Sequence, residues 1–216
     1  MMNNWNICAV LLTLALGATG SAHAELVKNG GFENNVISGA FQQVASVDGW
    51  TSNAAGNSAF EIQKGALQGG AAGFNPYAYE GKQYLELNVS TMTTISQAIA
   101  TTGSGLYTLS FAYSGRPDTA GGTASQMNVY WGNTKLNSSP LMGQTTGGWS
   151  TFTVRDLIAT NASTLLRFES IGPVASPTYG SYLDAVSVNA NVPEPGSIAL
   201  VMLGIAGLVL SRRNKA

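Results

Sequence analysis

Imidazole and thiol are almost missing from this chain: its 216 residues hold one histidine, His23, and one cysteine, Cys8. Charge is scarce as well, at 10% of residues against roughly 25% in an average soluble protein. With Lys+Arg at 10 and Asp+Glu at 11 the net charge is −1, so no basic surface exists to neutralise a row of phosphates, and nucleic acid is excluded as a partner. The same scarcity excludes a coiled coil and an acidic disordered chain. Neither of the two long apolar runs, Ile7–Ala18 and Ile198–Leu210, reaches the roughly 18–20 residues of a comfortable membrane span.

Glycine (26 residues), serine, threonine, asparagine and alanine fill the space instead, the balance of a secreted β protein with many turns. The apolar run Ile7–Ala18 is followed by Ala22-His23-Ala24, the small-x-small pattern at which signal peptidase cuts. Residues 1–24 are therefore expected to be a signal peptide, with Ala22 and Ala24 at the cleavage site and Glu25 opening the mature chain. That cut removes both Cys8 and His23. Disulfides, Cys/His zinc sites, Ser-His-Asp or Cys-His nucleophiles and histidine bases would go with them.

At the other end Val192-Pro193-Glu194-Pro195-Gly196 breaks any preceding strand. The apolar run after it, about 13 residues, would measure roughly 20 Å as a helix against a hydrocarbon core of about 30 Å. Arg212, Arg213 and Lys215 close the chain as cytoplasmic cations. Pro193-Glu194-Pro195, a short hydrophobic helix and an Arg-rich end together resemble the PEP-CTERM sorting signal of Gram-negative bacteria. The resemblance covers residues 192–216. It implies an inner-membrane intermediate, recognition by an exosortase that cuts near Pro-Glu-Pro, and delivery to the cell surface or an exopolysaccharide matrix.

Residues 25–191 remain, the size of a single β-sandwich. Tyr107, Leu109, Phe111 and Tyr113 alternate with Thr108, Ser110 and Ala112, which predicts a strand over 105–113 with one core face. The same period recurs at Met127/Val129/Trp131, Phe152/Val154, Leu166/Phe168 and Val186/Val188. Further strands are expected at 26–28, 60–63, 83–88 and 93–98. Gly- or Pro-bearing breaks separate them, and no helical period intervenes, so the expected fold is an all-β antiparallel sandwich.

Four short motifs lie along this region: Asn29-Gly30-Gly31-Phe32-Glu33, Gly49-Trp50, Gly81-Lys82-Gln83-Tyr84-Leu85-Glu86-Leu87 and Tyr182-Leu183-Asp184-Ala185-Val186-Ser187-Val188. In this order they resemble the galactose-binding-like jelly rolls, among them the carbohydrate-binding modules appended to plant-wall glycosidases. The resemblance implies a jelly-roll topology with neighbouring terminal strands. It also implies a structural calcium held by Glu33 and Asp184 with carbonyls near Gly30 or Gly31. Asp184 shares parity with Val186 and Val188 and so is expected to point inward, where a carboxylate needs a partner. The alternative is that Asp184 caps a turn or accepts backbone N–H bonds.

Glycan contact would use exposed rings, because a sugar's C–H face packs on a π surface while its hydroxyls seek polar groups. Tyr77 and Tyr79 stand in a polar loop and Tyr130 on the polar parity of its strand, with Asn128, Gln126, Arg116 and Asp118 as hydrogen-bonding candidates. Simple turn packing is the competing reading of the tyrosines. Trp50, Trp131 and Trp149 are expected in the core or at sheet corners. Glu61, Glu80, Glu86, Asp118, Asp156 and Glu169 are scattered with nothing in the spacing to pair them, so no glycosidase carboxyl pair is expected. The sequence thus points to an exported, non-enzymatic surface or matrix protein that binds polysaccharide. A structural or adhesive role without sugar, and a secreted carbohydrate-active hydrolase, are the alternatives.

Overall fold

A computed structural model describes residues 25–64, 77–116, 125–143, 148–172 and 178–191. The expected signal peptide with Ala22 and Ala24, the tail with Pro193, Glu194, Pro195, Arg212 and Arg213, and Asp118 lie outside the described residues. Twelve strands are present: β1 (Phe41–Val44), β2 (Thr51–Ser52), β3 (Phe60–Lys64), β4 (Gln83–Glu86), β5 (Thr94–Ala100), β6 (Leu106–Ser114), β7 (Gln126–Trp131), β8 (Thr134–Lys135), β9 (Leu141–Met142), β10 (Ser150–Ile158), β11 (Ser163–Gly172) and β12 (Tyr182–Ala190). They form two six-stranded sheets. The first runs β1-β3-β4-β12-β6-β10; the second runs β2-β5-β11-β7-β8, with β9 also on β7. Every pairing is antiparallel.

From β4 to β7 and again from β10 to β12 successive strands alternate between the sheets, each burying one parity against the other sheet, while β8 and β9 stay beside β7. Ile62, Leu85, Leu109, Phe111, Leu183 and Val188 supply the inner face of the first sheet. Ile95, Ile99, Met127, Val129, Leu166 and Phe168 answer from the second. Phe111 meets Phe168 edge-on across the gap, with centroids 5.0 Å apart at 88°. Each such side chain contributes about 1.5–3 kcal/mol by leaving water.

Three expectations change. Residues 26–28 form no strand, although the Leu26 N–H donates to the Val188 carbonyl at 3.0 Å and so lays the start of the domain beside β12. Trp50 and Trp131 are buried in the core as expected, but Trp149 is only half-buried and its indole N–H donates to the Tyr77 carbonyl in a loop. Asp184 does not share a face with Val186 and Val188. A bulge between Asp184 and Ser187, with Ala185 at φ 49°, resets the alternation. Leu183 takes the core side, leaving Asp184 on the opposite parity.

Candidate functional site

The four motifs meet at one junction. Asn29 (φ 54°) and Phe32 (φ 58°) turn the chain so that Phe32 is fully buried against Trp50, centroids 5.5 Å apart, while the Trp50 indole N–H donates to the Asn29 carbonyl at 3.1 Å. A side chain on Gly30 would place its Cβ 1.9 Å from the Val186 carbonyl, so only glycine lets this turn lie against β12. The Gly30 carbonyl in turn accepts the Val186 N–H at 3.0 Å. Glu33 then reaches the third motif, its Oε1 accepting the N–H groups of Lys82 (2.6 Å) and Gln83 (2.7 Å). The Gln83 amide donates to the carbonyls of Phe32 (3.0 Å) and Asn35 (2.8 Å).

Asp184 completes the junction. It is fully buried; Oδ2 accepts the Glu80 N–H at 3.0 Å and Oδ1 its neighbour Ala185's at 2.6 Å. Burial pushes its carboxyl up to about 7 despite these bonds, and nearby Glu33 adds to the rise. Gly31 lies between the two, a Cβ there falling 3.8 Å from Asp184 Oδ1 and 3.9 Å from Glu33 Cγ. A cleft of about 430 Å³ opens over this spot, lined among others by Asn29, Glu33, Asn34, Gly81 and Ser187. Two carboxylates amid amide and hydroxyl oxygens are donors of the hard type that calcium takes. Three of their four oxygens already accept backbone N–H bonds, and no cluster of three or more acidic, His or Cys side chains exists among the described residues. The residues fit calcium in type, with most of the shell left to neutral oxygens.

A second constellation, whose members no sequence spacing pairs, lies on the outer face of the first sheet. Antiparallel register sets Glu61 of β3 directly opposite Glu86 of β4, with Gln43 beyond Glu61 on β1. The Gln63 amide nitrogen bridges both carboxyls, 2.6 Å from Glu61 Oε1 and 2.8 Å from Glu86 Oε2, and Gln43 donates to Glu61 Oε2 at 3.3 Å. Arg116 Nη1 donates to Glu86 Oε1 at 2.7 Å, the Gly180 N–H reaches the same oxygen at 3.1 Å, and the guanidinium stands 4.4 Å over the Tyr179 ring. Burial raises both carboxyls, Glu86 to about 8, with Arg116 opposing in each case and the charge of Glu61 adding to the rise at Glu86. A cleft of about 230 Å³ opens here, lined by Phe41, Gln43, Glu61, Gln63, Arg116 and Tyr179 among others.

The candidate glycan residues do not form one site. Arg116 sits in this outer-face cleft. Tyr77 and Tyr79 are exposed, at 64% and 52%, beside Trp149, which stacks edge-on against Tyr79 and the buried Tyr84. Tyr130 and Asn128 belong to β7 in the other sheet. Tyr130 is occupied there, its hydroxyl donating to Glu169 at 2.6 Å and its ring covered by Arg167 at 4.0 Å. Asn128 is buried and accepts from Asn137 at 2.9 Å. Both make internal hydrogen bonds in this arrangement. Glu61, Gln63, Gln43 and Tyr179 are the cleft residues that sequence reading missed as ligand candidates.

Residues 191–213 match the PEP-CTERM protein-sorting motif. None of the curated proteins matches the chain. Among solved structures, the Stig cyclase Fisc from Fischerella sp. TAU, in complex with (3Z)-3-(1-methyl-2-pyrrolidinylidene)-3H-indole, is 17% identical, with 80% of this chain and 100% of that chain covered and a TM-score of 0.55. TmCBM61 in complex with beta-1,4-galactotriose is 14% identical over 78% of this chain and 99% of its own, TM-score 0.51. The arabinose-bound MgGH51 α-L-arabinofuranosidase is 14% identical over 80% of this chain but 27% of its own, TM-score 0.51. At these identities the likeness shows the fold alone, a β-sandwich.

Proposed function

We propose that the protein is exported, processed at its tail by an exosortase in a Gram-negative envelope, and works outside the inner membrane as a non-enzymatic carbohydrate-binding module. The sorting motif supports the export, and the β-sandwich of the sugar-binding neighbours supports the ligand class. The observation that carries the binding reading is the outer-face cleft. There the Gln43 and Gln63 amides, the Glu61 carboxylate and Arg116 converge beside Tyr179 and a 56% exposed Phe41. Polar groups for hydroxyls beside rings for C–H faces are what a sugar residue requires. Catalysis by a carboxyl pair is disfavoured by geometry. Glu86 has no exposed side-chain surface and one amide nitrogen bridges it to Glu61, so only one carboxylate meets a ligand.

Affinity electrophoresis of the purified protein through polysaccharide gels tests this. Retention is expected, and Phe41→Ala with Gln43→Ala should abolish it while leaving Tm within a few degrees. No retention on any polysaccharide would transfer the reading to a structural or adhesive matrix role. Release of reducing sugar, abolished by Glu61→Gln, would transfer it to a hydrolase.

For the junction we infer a structural calcium held by Glu33 and Asp184. The ion would supply the positive charge that a buried carboxylate lacks and would tie the first turn to β12 and the loop before β4. Chelator should lower Tm of the wild type and leave Asp184→Asn unresponsive. Equal shifts in both proteins reject the assignment.

A further inference from the structure

The charge of the outer-face cleft selects among glycans. An anionic sugar is normally recognised by an arginine fork presented to its carboxylate or sulfate. Here Arg116 is the one cation lining the cleft among the described residues, and its guanidinium is turned to internal work. It donates to Glu86 at 2.7 Å, stacks on Tyr179 at 4.4 Å, and keeps 18% of its side chain exposed. What faces an incoming ligand beside it is the Glu61 carboxylate, held between the Gln43 and Gln63 amides. The geometry points to a cleft that takes uncharged glycan residues and rejects uronate- or sulfate-bearing ones, an inference that rests on the binding role proposed above.

Charge accounting agrees. Burial holds the Glu86 proton up to about 8, so the carboxyl that Arg116 faces adds little charge at neutral pH. The carboxyl of the pair that lines the cleft is Glu61, with an amide donor on either side. An anionic substituent brought within a few ångströms of a half-desolvated carboxylate is repelled strongly enough to cost at least about tenfold in affinity. The hydroxyls of a neutral sugar instead find acceptors in Glu61 and the glutamine carbonyls, and a donor in the second N–H of Gln43.

The experiment is affinity electrophoresis of the whole protein at fixed ionic strength, comparing neutral gels (β-1,4-galactan, xylan, glucomannan) with acidic ones (polygalacturonate, alginate, a sulfated galactan). At least one neutral polymer should retard the protein, with every acidic polymer at least tenfold weaker. Glu61→Gln, which keeps the shape and removes the anion, should narrow that ratio. Acidic polymers that bind as well as or better than neutral ones overturn the charge selection while upholding glycan binding, and so does a ratio unmoved in a folded Glu61→Gln. Retention by none overturns the binding role and this inference with it. The wild-type ratio alone decides the matter if the variant does not fold.

Discussion

The buried carboxyl pair makes stability fall as pH rises through neutrality, opposite to the behaviour of a salt-bridged surface carboxylate. In the unfolded chain Glu86 loses its proton near 4.5, whereas burial holds it in the folded protein up to about 8. Between these values the native state binds more protons than the unfolded state, so each pH unit removes stability. One unit corresponds to about 1.4 kcal/mol, so the full window amounts to at most roughly 4–5 kcal/mol, all of it present below pH 4.5 and gone above pH 8. For a domain of this size that is a fall in Tm on the order of 10 °C. Asp184, pushed to about 7 by burial, tilts the curve the same way below pH 7 in metal-free protein. Exposed Asp48 is lowered by its hydrogen bond to Lys28, so it acts only as pH falls below its ordinary range, outside this window. Calorimetry in chelator from pH 4.5 to 9 at constant ionic strength measures the slope. Glu86→Gln keeps a carbonyl for Arg116 and Gly180 and cannot titrate, so its curve should be flatter than the wild type's. A wild-type Tm that stays level or climbs from pH 5 to 8.5 refutes the buried proton on Glu86.

Other substitutions probe the remaining features. Arg116→Ala leaves Glu86 buried without its cation and should cost about 3–5 kcal/mol when that carboxyl is ionised. The loss should shrink as pH falls below about 8, where Glu86 stays protonated; a pH-independent loss in urea titrations would contradict this. Phe168→Ala empties the contact between sheets and is expected to cost about 3–5 kcal/mol, read from the denaturation midpoint. Gly81→Ala forces a side chain into φ +68° with its Cβ 2.3 Å from Glu33 Oε1, so it should lower Tm and abolish any calcium-induced stabilisation together. Retention of the metal response in that variant would separate Glu33 from the site.

Alternation was readable wherever a strand has one dry and one wet face. In β6 and β11, Leu109, Phe111, Leu166 and Phe168 are buried while their neighbours Ser110, Arg167 and Glu169 keep partial exposure, and there the expected faces are the observed ones. The signal fails in β3 and β4. Glu61, Gln63, Tyr84 and Glu86 also alternate with core residues, but they too are buried, because Arg116, Tyr179 and the surrounding loops crowd the outer face. A polar residue at the outward position reads as solvated in sequence, and only strand register reveals that two such residues stand opposite each other beneath a cleft that Arg116 and Tyr179 narrow without closing. The motifs around Asn29, Trp50, Gly81 and Tyr182 were readable as an ordered set. Their convergence was not, since it depends on a turn at Gly30 lying against β12.

Asp184 shows why a regular period misleads at a junction. In an unbroken strand its carboxylate would enter the sandwich beside Val186 and Val188, among side chains with no donor to offer, at a cost of several kcal/mol. The bulge at Ala185 moves it to the face where the Glu80 and Ala185 N–H groups and the Gly31 turn receive it. The strained φ at Ala185, worth roughly 1–2 kcal/mol, is smaller than the burial penalty it avoids. The carboxylate and the bulge therefore depend on each other: Asp184→Val should favour the regular register, in which residue 184 joins Val186 and Val188 inside and Leu183 is turned out of the core. Loss of the protected Val186 amide, which bonds to the Gly30 carbonyl, would report that shift in hydrogen exchange. If Val186 stays protected in Asp184→Val, the bulge is maintained by the Gly30 turn alone, and the carboxylate is its beneficiary rather than its cause.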